Sequence, residues 1–256
     1  MTDDEDLDLD PDLDIEINLR APAEVAARVI VLAAVCHRAY LERAEGDDGA
    51  DDPEAERFDL VAWLRTEGLD PIASPVERHL LQTRLGRLGS DETDAASWQT
   101  EALAALAWAM GILEALPPYH IPVDPGPLLD AMPSPWDKTG PFRTGVRLRP
   151  EEEIAAERER AELWHWRATM VDLLLEARGK EAQRLGAVIR EVAGEAARAG
   201  IVDHVTAGDF TVDGRPYRDL AGEALDVATA IAAERHRALN WLCGFGMDWD
   251  TVPTDV

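Results

Sequence analysis

The stretch PAEVAARVIVLAAVCHRAYLERA, residues 22–44, carries apolar side chains at Val25, Val29, Leu32, Val35, Cys36 and Ala39. Steps of three and four residues place these on one stripe of an α-helix. Pro22 stands near the first turn, where its missing N–H would have had no partner in any case. The spacing predicts a helix from Pro22 to Ala44.

The same signals recur on either side. Phe58 to Glu67 reads as a short helix stopped by Gly68. Ser74-Pro75-Val76-Glu77 spells a capping box, in which the Ser hydroxyl and the Glu carboxylate satisfy free backbone N–H groups. A further helix is expected from about Ser97 to Leu116, ended by Pro117-Pro118. Glu151 to Arg178 opens with three acids that complement the helix dipole and closes before Gly179. Leu185, Val188, Ile189, Val192 and Ala196 outline another helix, and Arg218 to Leu242 the last. Between Pro118 and Pro150 lie six more prolines, too many for regular structure beyond a turn around Leu128 to Met132. Trp136 and Phe142 within that segment predict that it packs over the domain. Asp213-Gly214 marks a β-hairpin whose second arm, with Pro216, is an edge. Gly244-Phe245-Gly246 reads as a helix stop, because the dinucleotide fingerprint would need a third glycine and a preceding strand. The expected fold class is mainly α, with residues 21–256 forming a single-domain multi-helix bundle. It carries the Pro-rich irregular segment 117–150 and at most one small β-hairpin.

Residues 1–19 hold nine acidic side chains and no basic one, and Pro11 breaks their period-2 alternation. This favours a disordered acidic tail over residues 1–20, either solubilising or able to dock on a basic partner. The whole chain of 256 residues has 51 acidic and 25 basic side chains, a formal charge of -26. Such a field repels nucleic acid and anionic lipid, so neither is an expected partner. The longest apolar run, Ala102 to Leu113, is shorter than the ~20 residues a membrane helix needs. Two distant cysteines, Cys36 and Cys243, and no recognisable secretory leader point to reduced thiols and a cytoplasmic location.

Charges recur where the helical stripes call for carbon. Glu234 and Arg235 interrupt the stripe of the last helix, Glu101 falls between Trp98 and Ala105, and Arg28 adjoins Val29. An isolated buried ion costs several kcal/mol, so these groups must be paired or open onto a pocket. The expectation is a cluster drawing on Arg28, Arg38, Glu42, Glu101, Glu234, Arg235 and His236, either a ligand site or an ion-pair network that fixes helix register. His236 and Asn240 share a face one turn apart. Glu162 and His165 have the Glu-x-x-His spacing of helical di-iron proteins, but no second such motif exists. The H-E-x-x-H, paired C-x-x-C, phosphate-loop and G-x-S-x-G signatures are missing, so no metal, cofactor or catalytic residue is assigned.

The segments RVIVLAAVCHRAYLE, SPVE, SWQTEALAALAWAM and AAERHRALNWLCGFGMDWDTVPTD resemble a bacterial family known as domain of unknown function 4272, over roughly Arg28 to Asp255. The final segment, with Glu234-Arg235-His236, Asn240-Trp241 and Trp249-Asp250, carries most of the likeness. The resemblance implies one domain and brings no activity, substrate or cofactor. Two functions are therefore expected. The first is a non-enzymatic binding or adaptor protein whose acidic surface engages a basic protein partner. The second is an enzyme or anion sensor with a concave pocket containing Glu234 and Arg38 or Arg235.

Overall fold

The computed structural model describes residues 17–44 and 52–256. The first predicted helix is α1, Pro22–Ala44. Its apolar residues do not keep to one stripe: Val25, Val29, Leu32 and Cys36 enter one buried cluster, and Ile30, Val31, Val35 and Leu41 another. A helix apolar on every side has to be covered on every side. Accordingly α4 (Ser90–Ala109) packs on one flank of α1, and α2 (Pro53–Thr66) and α3 (Pro75–Gln82) on the other. Fully buried residues such as Ile30, Leu32 and Leu41 each contribute roughly 1.5–3 kcal/mol. Beyond α4 lies α9 (Glu223–Leu242), and beyond that α7 (Glu151–Glu176). Buried alanines at 102, 104, 105, 107 and 109 keep the surface of α4 low where neighbouring helices approach.

The protein is mainly α-helical, as predicted. The Ser74 capping box is present, with Ser74 Oγ accepting from the Glu77 N–H at 3.1 Å and Glu77 Oε2 accepting from the Ser74 N–H at 2.8 Å. In contrast, α4 begins and ends seven residues before its expected limits. At the start the Glu92 carboxylate reaches back to the Gly89 N–H at 2.9 Å. At the end Gly111, at φ +71°, lets its own N–H reach the Trp108 carbonyl and the Ile112 N–H reach Ala107. This left-handed stop acts well before the prolines do.

The 117–150 segment contains two short helices, α5 (Pro125–Asp130) and α6 (Gly140–Gly145), and lies over the helices. The Arg149 N–H donates to the Ala109 carbonyl at 2.8 Å and the Trp63 indole to the Asp137 carbonyl at 2.8 Å. Next to α8 (Lys180–Arg198) sits an antiparallel sheet of β1 (Val205–Thr206), β2 (Asp209–Val212) and β3 (Arg215–Pro216), in that order. The expected hairpin turns at Asp213-Gly214, with Pro216 on an edge strand. A second hairpin turns at Ala207-Gly208, where both residues have positive φ. Alanine gave no signal for that turn.

Residues 17–20, expected to belong to the free tail, are bound to the end of α9. The Asn18 and Arg20 N–H groups donate to the Cys243 and Leu242 carbonyls at 3.1 and 3.0 Å. The Arg20 guanidinium lies 4.4 Å from the Trp241 ring centroid. Gly244, at φ +88°, makes this approach possible: a Cβ there would lie 2.7 Å from the Asn18 carbonyl oxygen. Residues 1–16 of the expected tail lie outside the described residues.

Candidate functional site

Of the charges that interrupt the apolar stripes, Arg28, Glu101 and Arg235 are buried, but they form separate sets. Arg28, on α1, donates to both carboxylate oxygens of Glu77 on α3 at 2.5 and 2.6 Å. Its guanidinium also lies 4.9 Å from the ring of Trp249, whose other neighbours are Arg237 at 4.6 Å and the edge of Trp241. Asp250 accepts from the Val76 N–H at 3.1 Å, at the start of α3. Arg38 pairs within its own helix with Glu42 at 2.6 Å and donates to the Thr83 carbonyl at 3.1 Å. Arg235 on α9 donates through Nε and Nη2 to Glu101 on α4 at 3.0 and 2.8 Å. Glu101 Oε1 accepts the Val123 N–H at 2.7 Å, so it also pins the Pro-rich segment. Glu234 is half-buried and pairs with Arg237, not with the other members. Each buried ion thus has a partner close by, which offsets its desolvation. The expected single cluster is resolved into separate pairs along the bundle.

His236 and Asn240 belong to a fourth set, between α7 and α9. Arg158 Nε donates to Asn240 Oδ1 at 2.7 Å and so fixes the amide. The amide nitrogen then donates to the Pro253 carbonyl at 2.8 Å and faces His236 Nε2 at 2.9 Å. His236 Nε2 must accept, its proton must sit on Nδ1, and that N–H donates to His165 Nδ1 at 3.0 Å. His165 therefore carries its proton on Nε2. Burial, with the charges of His165 and Arg158, pushes His236 down to about 3, and burial lowers His165 as well. Both rings are neutral at pH 7. Protonation of His165 would set two N–H groups against each other.

A large opening lies elsewhere. A groove of about 920 Å³ runs between α1, α4 and the Pro-rich segment. Ala33, Ala34, Cys36, His37 and Tyr40 form one side, Ser97, Trp98, Thr100 and Glu101 the next, and residues from Pro122 to Pro135 the third. Trp63, Leu129 and Met132 add apolar surface. Of the ten residues singled out from the sequence, only Glu101 lines the groove; Glu234, Arg38 and Arg235 do not. Burial pushes the Cys36 thiol up to about 12, so it is not a ready nucleophile. Burial lowers His37 against the opposing pull of Glu56, 3.7 Å away. No group of three or more His, Cys, Asp or Glu among the described residues is placed to hold a metal ion.

Sequence reasoning missed Tyr40, Trp63, Trp98 and Met132 as groove residues, since each reads as ordinary helix or loop packing. The prediction that 117–150 covers the helices was the available signal, because a segment stiffened by proline cannot follow a helical surface without leaving space. A buried pair also escaped notice: Arg167 donates to both oxygens of Asp209 at 2.6 and 2.7 Å, joining α7 to β2.

No curated protein and no solved structure matches the chain. A family model described as a domain of unknown function, DUF4272, matches residues 12–183. It thus includes α1, α4 and the whole groove wall but stops before α9, the segment expected to carry most of the likeness. With about two thirds of its length matched, the chain belongs to the DUF4272 family.

Proposed function

We propose that the protein binds a small organic molecule in the groove between α1, α4 and the Pro-rich segment. The observation that carries this reading is the groove itself. Its volume of about 920 Å³ falls in the range of small-molecule sites, roughly 300–1,000 Å³. Its walls are mostly apolar and aromatic, and their polar groups include Thr100, Glu101, His37 and the carboxylates of Asp94, Asp124 and Asp130. Buried ion pairs hold the walls in register, Glu101 by gripping both Arg235 and the Val123 N–H. The groove is therefore built before any ligand arrives, which lowers the entropic cost of binding.

The neutral fluorescent dye N-phenyl-1-naphthylamine tests the reading. Saturable uptake is expected in the wild type, and Ser97→Trp, which fills the groove from a half-buried position, should weaken it by about tenfold or more, the loss of roughly 1.4 kcal/mol. Dye binding that is absent, or indifferent to Ser97→Trp in a folded protein, overturns it.

The formal charge of -26 supports a second reading, an acidic surface that engages a basic protein. Association with such a partner should weaken steeply as salt is raised, and a complex insensitive to ionic strength overturns it. Cys36 and Cys243 are both buried, unbridged thiols, which supports a reducing compartment such as the cytoplasm.

A further inference from the structure

We propose that the ligand is an organic cation, held over aromatic faces with Trp136 as the contact at the mouth of the groove; this rests on the groove being a ligand site. The first argument is charge. Asp94, Glu101, Asp124 and Asp130 line the groove, against Arg43 alone. Even when Arg235 is counted for neutralising Glu101 from behind, acids remain in excess, and Arg43 is already paired to Asp94 at 2.7 Å. Low-dielectric walls concentrate such a field. An anion would be repelled, and a cation drawn in.

Aromatic composition gives the second argument. Tyr40, Trp63 and Trp98 line the groove, and Tyr40 is 64% exposed. Electron-rich ring faces attract ammonium groups, most strongly where water is thinned out, as in cages that hold quaternary ammonium ions.

The backbone supplies the third. Pro133, Ser134 and Pro135 line the groove, and Trp136 follows them directly. Ser134 to Asp137 form a four-residue turn closed by the Asp137 N–H on the Ser134 carbonyl at 3.0 Å. Trp136 takes its third position at φ +73°, where a turn led by proline ordinarily has glycine. A bulky residue is strained there and persists only when its surroundings hold it. They do: Asp137 Oδ2 accepts the Ser134 N–H at 2.9 Å, and Trp63 and Glu67 tie down Asp137 and Thr139. Yet Trp136 is 55% exposed, so the strain is not compensated by burial. One residue beyond Pro135, where the groove lining ends, a strained turn that leaves its tryptophan exposed is explained by a ligand that extends out of the groove onto the indole.

Competition against the bound neutral dye by phenyltrimethylammonium, its neutral isostere tert-butylbenzene, and benzoate tests the proposal. The cation should compete about tenfold better than the isostere, as cation–π attraction in a desolvated site allows. Benzoate should compete worst. Trp136→Gly should weaken the cation several-fold while the protein melts at the same temperature or higher, a combination that a purely structural tryptophan would not give. Asp130→Asn should weaken the cation and leave the isostere unchanged. If the dye binds but the isostere competes as well as the cation, the charge preference is wrong and the groove reading stands; if Trp136→Gly leaves the cation's affinity unchanged, the contact is wrong. Failure of the dye itself to bind removes the groove reading instead.

Discussion

Moving the protein from pH 7 to pH 5 should destabilise it by an amount traceable to His236. In the unfolded chain an imidazole has its ordinary value near 6.5, whereas in the fold His236 sits at about 3. Between these values the unfolded state binds a proton that the native state refuses, so stability falls as pH falls. At pH 7 the unfolded ring is mostly neutral and the penalty is small. At pH 5 the unfolded state gains about 2 kcal/mol relative to the native one, from one and a half units at 1.36 kcal/mol each. His165 is lowered too and adds to the same trend. The carboxylates of Glu54, Glu67 and Glu92 are held below their ordinary range by hydrogen bonds, so their stabilisation is lost only as pH drops through 4.5 and lower. Urea denaturation of the wild type and of His236→Gln at both pH values isolates the histidine by difference. The wild type should lose about 2 kcal/mol more than the variant on acidification. Equal losses would refute the claim that a neutral, hydrogen-bonded His236 is built into the α7–α9 contact.

Other substitutions probe the remaining features. Glu77→Gln strips Arg28 of its charge partner and weakens the Ser74 capping box, so denaturant titration should show a loss of about 3–5 kcal/mol. Gly244→Ala combines a left-handed backbone with a Cβ pressed on the Asn18 carbonyl; a loss of about 1–3 kcal/mol is expected in the same assay, against a few tenths at an open surface site. Burial pushes the Cys36 and Cys243 thiols up to about 12 and about 11, so iodoacetamide at pH 8 should leave both unmodified in the native protein and label both in denaturant, as read by intact mass.

Much of the helical frame was legible because its signals are local. The Ser74-Pro75-Val76-Glu77 capping box and the apolar spacing of α1 concern neighbours in sequence. The end of α4 was misplaced because two prolines at 117–118 outweighed a single Gly111, although the glycine acts first. Burial of Arg28, Glu101 and Arg235 was readable from the interrupted stripes. Their partners were not: Glu77 lies 49 residues from Arg28, and Glu101 lies 134 from Arg235. Glu77 had been read only as a cap, yet the same carboxylate serves both the Ser74 N–H and the Arg28 guanidinium. Glu234 was expected inward with Arg235, but consecutive helical residues are rotated by about 100°, so only one faced α4. The groove left no local trace, since it arises from what a proline-stiffened segment fails to fill.

The attachment of residues 17–20 to the end of α9 bears on the order of folding. Arg20 Nε reaches the Trp241 carbonyl across 221 positions of sequence, so the contact can form only after the intervening helices have drawn both ends together. Contacts of such high order are late events. Until this clasp closes, the last carbonyls of α9 stand open to solvent, and a nascent chain must extend as far as α9 before residues 17–20 find their place.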